Sequence, residues 1–441
     1  MSPESPRVYQ GPNVDRRVML KGLLAAAGVA AVPTLAACSS SASTPSGGAA
    51  SGTVTLGSNA SDAVPKKAFQ AVYDAFHTAN PSIKVNVNTK DHNTFQEQIN
   101  SYLQATPDDV FTWFAGYRMQ FFASKGLSTQ IDDVWNTIGS TFPQSVHDLS
   151  KGLDGHYYFV PIYYYPWGVF YRKSVFQANG YTVPTTWNEF VTLLQKMKND
   201  GLTPLAFGDS DQWPAMGTFD YLNMRTNGYQ FHMDLLHGKA AWTDAKVKKA
   251  FSYWTDILPY HQAGYIGRKW QDAALTLIQK KAGMYLCGTF VAQQATDPAD
   301  HADLDFFAFP SIDPQWGQDS IEAPVDGFML SKGPKNKAAA VKLLEFIGST
   351  QGEGAYLGVD PSYNALANGY DTSKYNAIQT KSAQLFGAAQ HVSQFMDRDA
   401  NPAFTSTVMQ PQLQNYLQNP GSLNGILSQI EQQKQSIYSS S

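Results

Sequence analysis

Residues 161–176 read PIYYYPWGVFYRKSVF, and they carry more information about the fold than any other stretch of the chain. Aromatic and apolar residues flank Pro166 on both sides, and no charged residue occurs before Arg172. Runs of this composition predict strands. Alternate burial along a strand accounts for the consecutive tyrosines Tyr163, Tyr164 and Tyr165.

The segment before this stretch alternates between strand and helix patterns. Ala68, Val72, Phe76 and Ala79 have helical spacing, whereas Ile83–Val87 alternates as a strand does. The five elements expected here are a strand at 54–56, a helix at 66–79, a strand at 83–87, a helix at 95–105 and a strand at 109–113. Strand–helix–strand units at this spacing predict a parallel sheet.

Further elements follow in the second half of the chain. They comprise helices at 187–198, 245–258, 272–280 and 337–347, strands at 284–286 and 328–330, and a mostly helical stretch at 401–438. The fold class is therefore α/β, with open sheets that carry helices on both faces.

The first 52 residues predict that the protein is exported, and they do not bear on its fold. Arg16 and Arg17 precede an apolar run of 14 residues, Gly22–Leu35, which is too short to cross a hydrocarbon core of about 30 Å as a helix. Residues 35–38, Leu-Ala-Ala-Cys, resemble a bacterial lipobox, in which the cysteine is lipidated and becomes the first mature residue. The paired arginines resemble a twin-arginine signal. We therefore predict an export signal at 1–37, a lipidated Cys38 and a flexible Ser-, Gly- and Ala-rich tether up to residue 52.

Composition narrows the function classes. The net charge is −4, and no basic cluster occurs that would bind nucleic acid. The chain remaining after the tether is too long for one ordinary core, so two lobes are expected. Only two cysteines exist; with Cys38 lipidated, Cys287 is expected to be a buried small hydrophobe without a disulfide.

Residues 161–176 resemble the signature of the family 1 extracellular solute-binding proteins, the maltose-binding-like group. That signature has a proline and apolar residues, a tyrosine here at Tyr171, and an apolar residue five positions later, here Phe176. Arg172 stands where the family has Asn or Asp. The resemblance continues in order through 180–190, 280–290 (KKAGMYLCGTF), 325–330 (VDGFML) and 335–347, and so covers 53–441.

This resemblance implies a two-lobed fold of the periplasmic-binding-protein kind (type II), with a hinge between the lobes. The chain is expected to cross between the lobes near 161–169, 323–328 and 366–375. The resemblance thus assigns 53–161 and 327–366 to the first lobe, and 166–322 and 375–441 to the second. Hinge closure around a ligand is a known mode of such folds.

Ligands of open α/β sheets bind beyond the carboxyl ends of strands, here the loops at 57–62, 88–93, 113–118, 207–214 and 287–290. A sugar needs flat aromatic faces for its C–H surface and charged or amide groups for its hydroxyls. By resemblance to contact residues of the family, we expect ligand contacts from Trp113, Arg118, Asp211, Trp213 and Phe290, the last in place of a family tryptophan.

Other candidates come from the same loops and crossings. Tyr165 lies where the maltose group has an acidic contact, which implies that this ligand is not bound as maltose is. The remaining candidate ligand-binding residues are Asn59, Asp62, Trp167, Asp326, Asn364 and Arg398. No metal site and no cofactor are expected.

Three alternatives remain open: a ferric-ion-binding protein, an enzyme, and a sugar receptor that serves a sensor instead of an importer. Tyr163–Tyr165 resemble the adjacent tyrosines of ferric-ion-binding proteins on the same fold. An enzyme is disfavoured because the HExxH, GxSxG, GxGxxG and P-loop motifs are absent from the sequence. A receptor that presents its ligand to a sensor instead of an importer would have the same fold.

The resulting prediction is a monomeric, non-enzymatic, sugar-binding lipoprotein of an ABC importer. It would be exported and anchored to the outer face of the cytoplasmic membrane, and it would deliver a mono- or oligosaccharide to permease subunits with a cytoplasmic ATPase. Nucleic acid is not an expected partner.

Overall fold

The computed structural model describes residues 50–439. The predicted export signal, Cys38 and residues 39–49 of the tether lie outside the described residues. The predicted tether is one residue too long at its end, because Gly52 already begins the first strand and pairs with Ile83.

The strands and helices of the described residues are numbered in chain order. The strands are β1 Gly52–Ser58, β2 Ile83–Thr89, β3 Val110–Phe114, β4 Phe159–Tyr164, β5 Trp167–Arg172, β6 Thr203–Leu205, β7 Ala282–Gly288, β8 Leu304–Phe307, β9 Ser320–Glu322, β10 Val325–Leu330 and β11 His391–Ser393. The helices are α1 Ala63–Ala79, α2 His92–Gln104, α3 Tyr117–Ser124, α4 Asp132–Ile138, α5 Gln144–Leu149, α6 Lys173–Asn179, α7 Trp187–Asn199, α8 Pro214–Asn227, α9 Tyr229–Leu236, α10 Ala245–Ile257, α11 Trp270–Ile278, α12 Pro298–Asp303, α13 Lys337–Ile347, α14 Thr350–Leu357, α15 Ala377–Ala388, α16 Met396–Asp399, α17 Pro402–Phe404, α18 Gln410–Gln418 and α19 Leu423–Tyr438.

Two main sheets organise the described residues. The first sheet has the strand order β2-β1-β3-β10-β4, and the second has the order β6-β7-β5-β8. Helices α1, α13 and α14 pack against the first sheet, and α7, α8 and α11 pack against the second. The α/β class with two lobes is therefore confirmed.

The parallel pairing predicted for the first three strands is confirmed, whereas the complete first sheet is mixed. Strands β1, β2 and β3 are parallel, but β10 is antiparallel to both β3 and β4. The reason is the path of the chain. It returns from the second lobe at the carboxyl ends of β3 and β4, so β10 starts there and runs in the opposite direction to both strands. The second sheet is also mixed, since β5 runs antiparallel to β7 and β8.

Residues 161–176 form the first connection between the sheets. β4 belongs to the first sheet and β5 to the second, with only Tyr165 and Pro166 between them. The chain returns to the first sheet between β9 and β10, and it passes to the second lobe again between α14 and α15, which packs on β8. The exact residues at which one lobe ends and the other begins stay a prediction.

Arg172, the residue that departs from the family signature, is buried in the second lobe. Its Nε donates to Asp303 at 2.8 Å, its Nη2 to Asp300 at 2.5 Å, and its Nη1 to the carbonyl of Ile278. The guanidinium therefore joins β5 to α11 and α12 through charge-assisted hydrogen bonds. The departure from the signature has a local structural role in this chain.

Cys287 is buried in β7, and burial raises the pKa of its thiol. This agrees with its expected role as a small hydrophobe. Within the described residues, no helix has the length and apolar character required to cross a membrane.

A cluster of buried carboxyl groups lies beside the second connection. It contains Asp220 of α8, Glu322 at the end of β9, and Asp397 and Asp399 of α16. Burial raises the pKa of both Asp220 and Glu322, and the proximity of the two carboxyl groups raises that of Glu322 further. His232 lies 3.8 Å from Asp220, but burial lowers its pKa to about 3, so this histidine is neutral and does not offset the acids.

Glu322→Gln should make stability less dependent on pH. A carboxyl group with a raised pKa in the folded state holds its proton longer than in the unfolded chain, whose acids ionise near pH 4. The free energy of unfolding therefore falls as the pH rises above about 4, and the loss continues until the folded-state pKa is passed. We expect the melting temperature of the wild-type protein to fall between pH 5 and pH 8, and to fall less in Glu322→Gln.

The matched control is Asp256→Asn, which removes an exposed carboxyl group from α10. Its melting temperature should follow that of the wild-type protein across the same range. If the melting temperatures of the wild-type and Glu322→Gln proteins change with pH in the same way, the raised pKa of Glu322 is contradicted.

Candidate functional site

A cavity of about 180 Å³ lies between the two sheets. Its walls come from the loops after β1 and β7, the end of β3, and the starts of α2, α8 and α11. Residues of the first two connections, at 165–167 and 324–327, and residues 395–398 at α16 complete them. Of the predicted ligand-binding residues, the structure brings ten to this cavity: Asn59, Asp62, Trp113, Tyr165, Trp167, Asp211, Trp213, Phe290, Asp326 and Arg398.

Aromatic rings form the wall on the side of the second sheet. Trp213 contacts the rings of Trp167, Phe290 and Trp270, with centroids 6.0, 5.9 and 6.4 Å away. Phe395 lies 5.0 Å from Trp167 and extends the wall. The edge-to-face and tilted contacts hold each ring in place, so the wall offers rigid apolar faces.

Trp213 is the most accessible of the three tryptophans in this wall. It is half-buried, whereas Trp167 is 2% and Trp270 7% exposed. It occupies the N-cap position of α8, where Pro214 starts the helix. Trp270 begins α11 in the same way. Both rings therefore project from helix starts, whose backbone positions are fixed.

The opposite wall is polar and centres on Arg398. Its Nη1 donates to Asp326 at 2.6 Å and its Nη2 to the Tyr165 hydroxyl at 2.6 Å. Its guanidinium also lies 4.1 Å from the centroid of the Phe114 ring. Burial disfavours the charge of Arg398, but Asp326, Tyr165 and Asp397 together outweigh this effect, so the pKa of Arg398 is raised and the side chain remains a cation.

Asp326 is held from two sides. Its Oδ2 accepts a hydrogen bond from the Tyr163 hydroxyl at 3.2 Å, in addition to the bond from Arg398. Burial raises the pKa of Asp326, and the Arg398 guanidinium acts against this rise. A carboxylate has about four lone-pair positions, so Asp326 keeps acceptor capacity for a ligand.

Two hydrogen bonds connect the walls across the cavity. Asn93 Nδ2, on α2, donates to Asp211 Oδ1 at 2.8 Å, and Gln271 Nε2, on α11, lies 3.3 Å from Asp62 Oδ2. Asn93 and Asp62 belong to the first-sheet side, and Asp211 and Gln271 to the second-sheet side. The structure therefore describes the cavity with its two walls in contact.

Asn59 is fixed by the strand beside it. Its backbone N–H donates to Thr112 Oγ1 at 3.0 Å, and that hydroxyl donates to Asn59 Oδ1 at 2.9 Å. The side chain thus has a defined position at the cavity instead of a turn-forming role.

Trp113 lines the cavity as expected, whereas Arg118 does not. Trp113 is fully buried, and the Arg118 guanidinium lies 4.8 Å from its ring centroid. Arg118 donates to Gln96 Oε1 at 2.7 Å and to Asp397 Oδ2 at 3.3 Å. It lines a neighbouring cavity and not the main one, and it lies in the first turn of α3, which begins after the turn at Gly116.

Asn364 is the other candidate that the structure does not bring to the cavity. The residue is fully buried outside the cavity lining, and its Nδ2 donates to the carbonyl of Gln379 at 2.8 Å. Its backbone pairs with Tyr164. Asn364 therefore secures the third connection and is structural.

Several cavity residues were not named from the sequence. The main ones are His92, Asn93, Trp270, Gln271, Phe395 and Asp397. The first two fall in the 88–93 loop to which the strand-end rule pointed. Trp270 and Gln271 lie just before the predicted helix start at 272. Their signal in the sequence was an aromatic residue next to an amide, the two residue types that a sugar site needs.

The structure gives little support to ferric-ion binding. Tyr163 and Tyr165 line the cavity, but Tyr164 packs on Phe386. Burial raises the pKa of all three tyrosines. Within residues 50–439, no group of three or more His, Cys, Asp or Glu side chains is arranged to hold a metal ion.

Curated relatives with similar sequences are extracellular binding proteins. The chain is 25% identical to an uncharacterised ABC transporter extracellular-binding protein of Pyrococcus horikoshii, over 72% of this chain and 74% of that protein. It is 27% identical to a "probable sugar-binding periplasmic protein" of Rhizobium meliloti, over 65% of this chain and 70% of that protein.

Solved structures extend the comparison. The bacterial solute receptor AcbH, described as having an exclusive substrate preference for β-D-galactopyranose, is 49% identical, with a TM-score of 0.85 over 88% of this chain and 99% of that one. A chitin oligosaccharide binding protein has a TM-score of 0.79 at 21% identity, over 88% of this chain and 99% of that one, which shows a shared fold.

The family model for bacterial extracellular solute-binding proteins matches residues 60–354, more than half of the chain. Members of this family are substrate receptors of ABC transporters and not enzymes. The chain belongs to the bacterial extracellular solute-binding proteins.

Proposed function

We propose that this protein is the receptor of an ABC importer and binds a single hexopyranose, with β-D-galactopyranose as the first ligand to test. The observation that carries the proposal is a cavity of about 180 Å³ with an aromatic wall facing an Arg398–Asp326 pair. The sugar preference of AcbH, at 49% identity, supports the choice of ligand. The names of the Pyrococcus relatives support an importer over a sensor.

The two walls suit the two surfaces of a pyranose. A sugar ring has an apolar C–H face, which packs well on a rigid indole such as Trp213 or Trp270. Its hydroxyls both donate and accept, and they match a guanidinium donor at Arg398 and carboxylate acceptors at Asp326 and Asp62. Charge-assisted hydrogen bonds of this kind are about twice as strong as neutral ones.

Binding and closure are coupled in this proposal. The aromatic wall belongs to one lobe and Asp62 and Asn93 to the other, so a ligand between them adds contacts only when the walls meet. A ligand that binds the closed form better shifts the population towards it. The permease would then recognise the closed pair of lobes.

The proposal includes a lipid anchor at Cys38. The Leu-Ala-Ala-Cys sequence at 35–38 and the small-residue segment after it support this. Two acyl chains give stable membrane binding where one is marginal. The protein would thus stay near its permease on the outer face of the cytoplasmic membrane.

Trp213→Ala should weaken galactose binding by about 2 kcal/mol or more, which is roughly thirtyfold in the dissociation constant. The reason is loss of an accessible ring face, while the neighbouring rings remain. Titration calorimetry measures the affinity, and thermal unfolding without sugar measures stability. The ligand-free melting temperature should change little, because Trp213 is only half-buried.

Trp316→Ala is the matched control, since Trp316 is also half-buried but lies outside the cavity lining. It should bind galactose like the wild-type protein. Equal affinity losses in both variants, or unchanged affinity in Trp213→Ala, would contradict the role given to the aromatic wall.

Cys38→Ser should release the protein from the membrane. The variant lacks the thiol that takes the lipid, so it should partition into the aqueous phase in a detergent phase separation, whereas the wild-type protein partitions with the detergent. Sugar affinity should be equal in the two proteins. A wild-type protein that is water-soluble after expression in a lipoprotein-processing host would refute the anchor.

A further inference from the structure

A second cavity of about 160 Å³ adjoins the first. It lies between α2 and α3 of the first lobe and residues 210–213 and 402–410 of the second. The two cavities are similar in volume. The second could therefore hold about as large a group as the first.

Five side chains line both cavities and so form the partition between them: Asn93, Gln96, Asp211, Trp213 and Asp397. One part of the partition is the Asn93–Asp211 hydrogen bond of 2.8 Å, which joins the lobes. Another part is formed by Gln96 and Asp397, both of which accept from Arg118 Nη1. The partition is thus hydrogen-bonded on both sides of the cleft.

The second cavity is polar. Besides the partition, Arg118, Glu97, Gln212 and Gln410 line it. Arg118 is 6% exposed, and its Nε has no hydrogen-bond partner among the residues that the structure describes. Charged and amide side chains of this kind form the strong hydrogen bonds that hold sugar hydroxyls. The second cavity can therefore accept a second sugar ring once access exists.

We propose that the Asn93–Asp211 bridge determines ligand length, because it closes the sugar cavity and limits the ligand to one ring. This inference rests on the proposed function. Of the partition side chains, Asn93 is the best one to change, since it lies in the first turn of α2 and is partly exposed. Removing its amide would join the two cavities.

The test compares wild-type protein and Asn93→Ala by titration calorimetry, with galactose and a panel of galactose-containing disaccharides of different linkage. The variant loses one hydrogen bond across the closed cleft, so galactose binding should weaken about fivefold. It should gain binding of at least one disaccharide that the wild-type protein does not bind measurably.

Two further variants separate the effect of opening the partition from the effect of losing a hydrogen bond across the closed cleft. Asn93→Leu removes the hydrogen bond but keeps the bulk, and it should gain no disaccharide. Gln271→Ala removes a different bond across the cleft, to Asp62, and leaves the partition intact because Gln271 does not line the second cavity. It should weaken galactose binding by a similar factor and gain no disaccharide.

The outcomes distinguish failure of the proposed partition from failure of the proposed function. Wild-type protein that binds galactose, together with Asn93→Ala that keeps galactose but gains no disaccharide, overturns the partition alone. Disaccharide binding by the wild-type protein at the affinity of galactose overturns it too. A wild-type protein that binds neither class overturns the proposed function itself.

Discussion

Two connections between the lobes meet α16 at one buried ion pair. Arg398 of α16 donates to Asp326, which follows the second connection, and to Tyr165, which lies in the first. A buried charge is strongly destabilising without its partner, so the ion pair holds these two connections and α16 together. All three residues line the ligand cavity.

Much of the fold follows from the sequence because its signals are local. Helical spacing placed α1 and α13 closely, and the strand-end rule selected the loops that supply Asn59, Asn93, Trp213 and Phe290. The direction of β10 was not local information, since it depends on where the chain returns after the second lobe. A rule based on strand–helix alternation assumes that each strand follows its neighbour, and here 160 residues separate β4 from β10 in sequence.

The site residues were harder to predict for a similar reason. Arg118 was chosen by resemblance of position, and Asn364 was a further candidate. Whether either side chain faces the cavity depends on single-residue register and on turns such as the one at Gly116. Trp270 was missed because a helix start carries no strand-end signal. Sequence identified the loops that reach the cleft, whereas packing decided which side chains in them face it.

The charge pattern of the cavity favours an uncharged ligand rich in hydroxyls. Asp62, Asp211, Asp326 and Asp397 line it together with Arg398, and the hydrogen bonds within the wall use only part of their capacity. The exposed Lys269 does not offset this excess of carboxyl groups. An anion would be repelled by the acids, and a cation would compete with Arg398 for Asp326. A hydroxyl can donate to the carboxylates and accept from the guanidinium without disturbing the pair on which the connections depend.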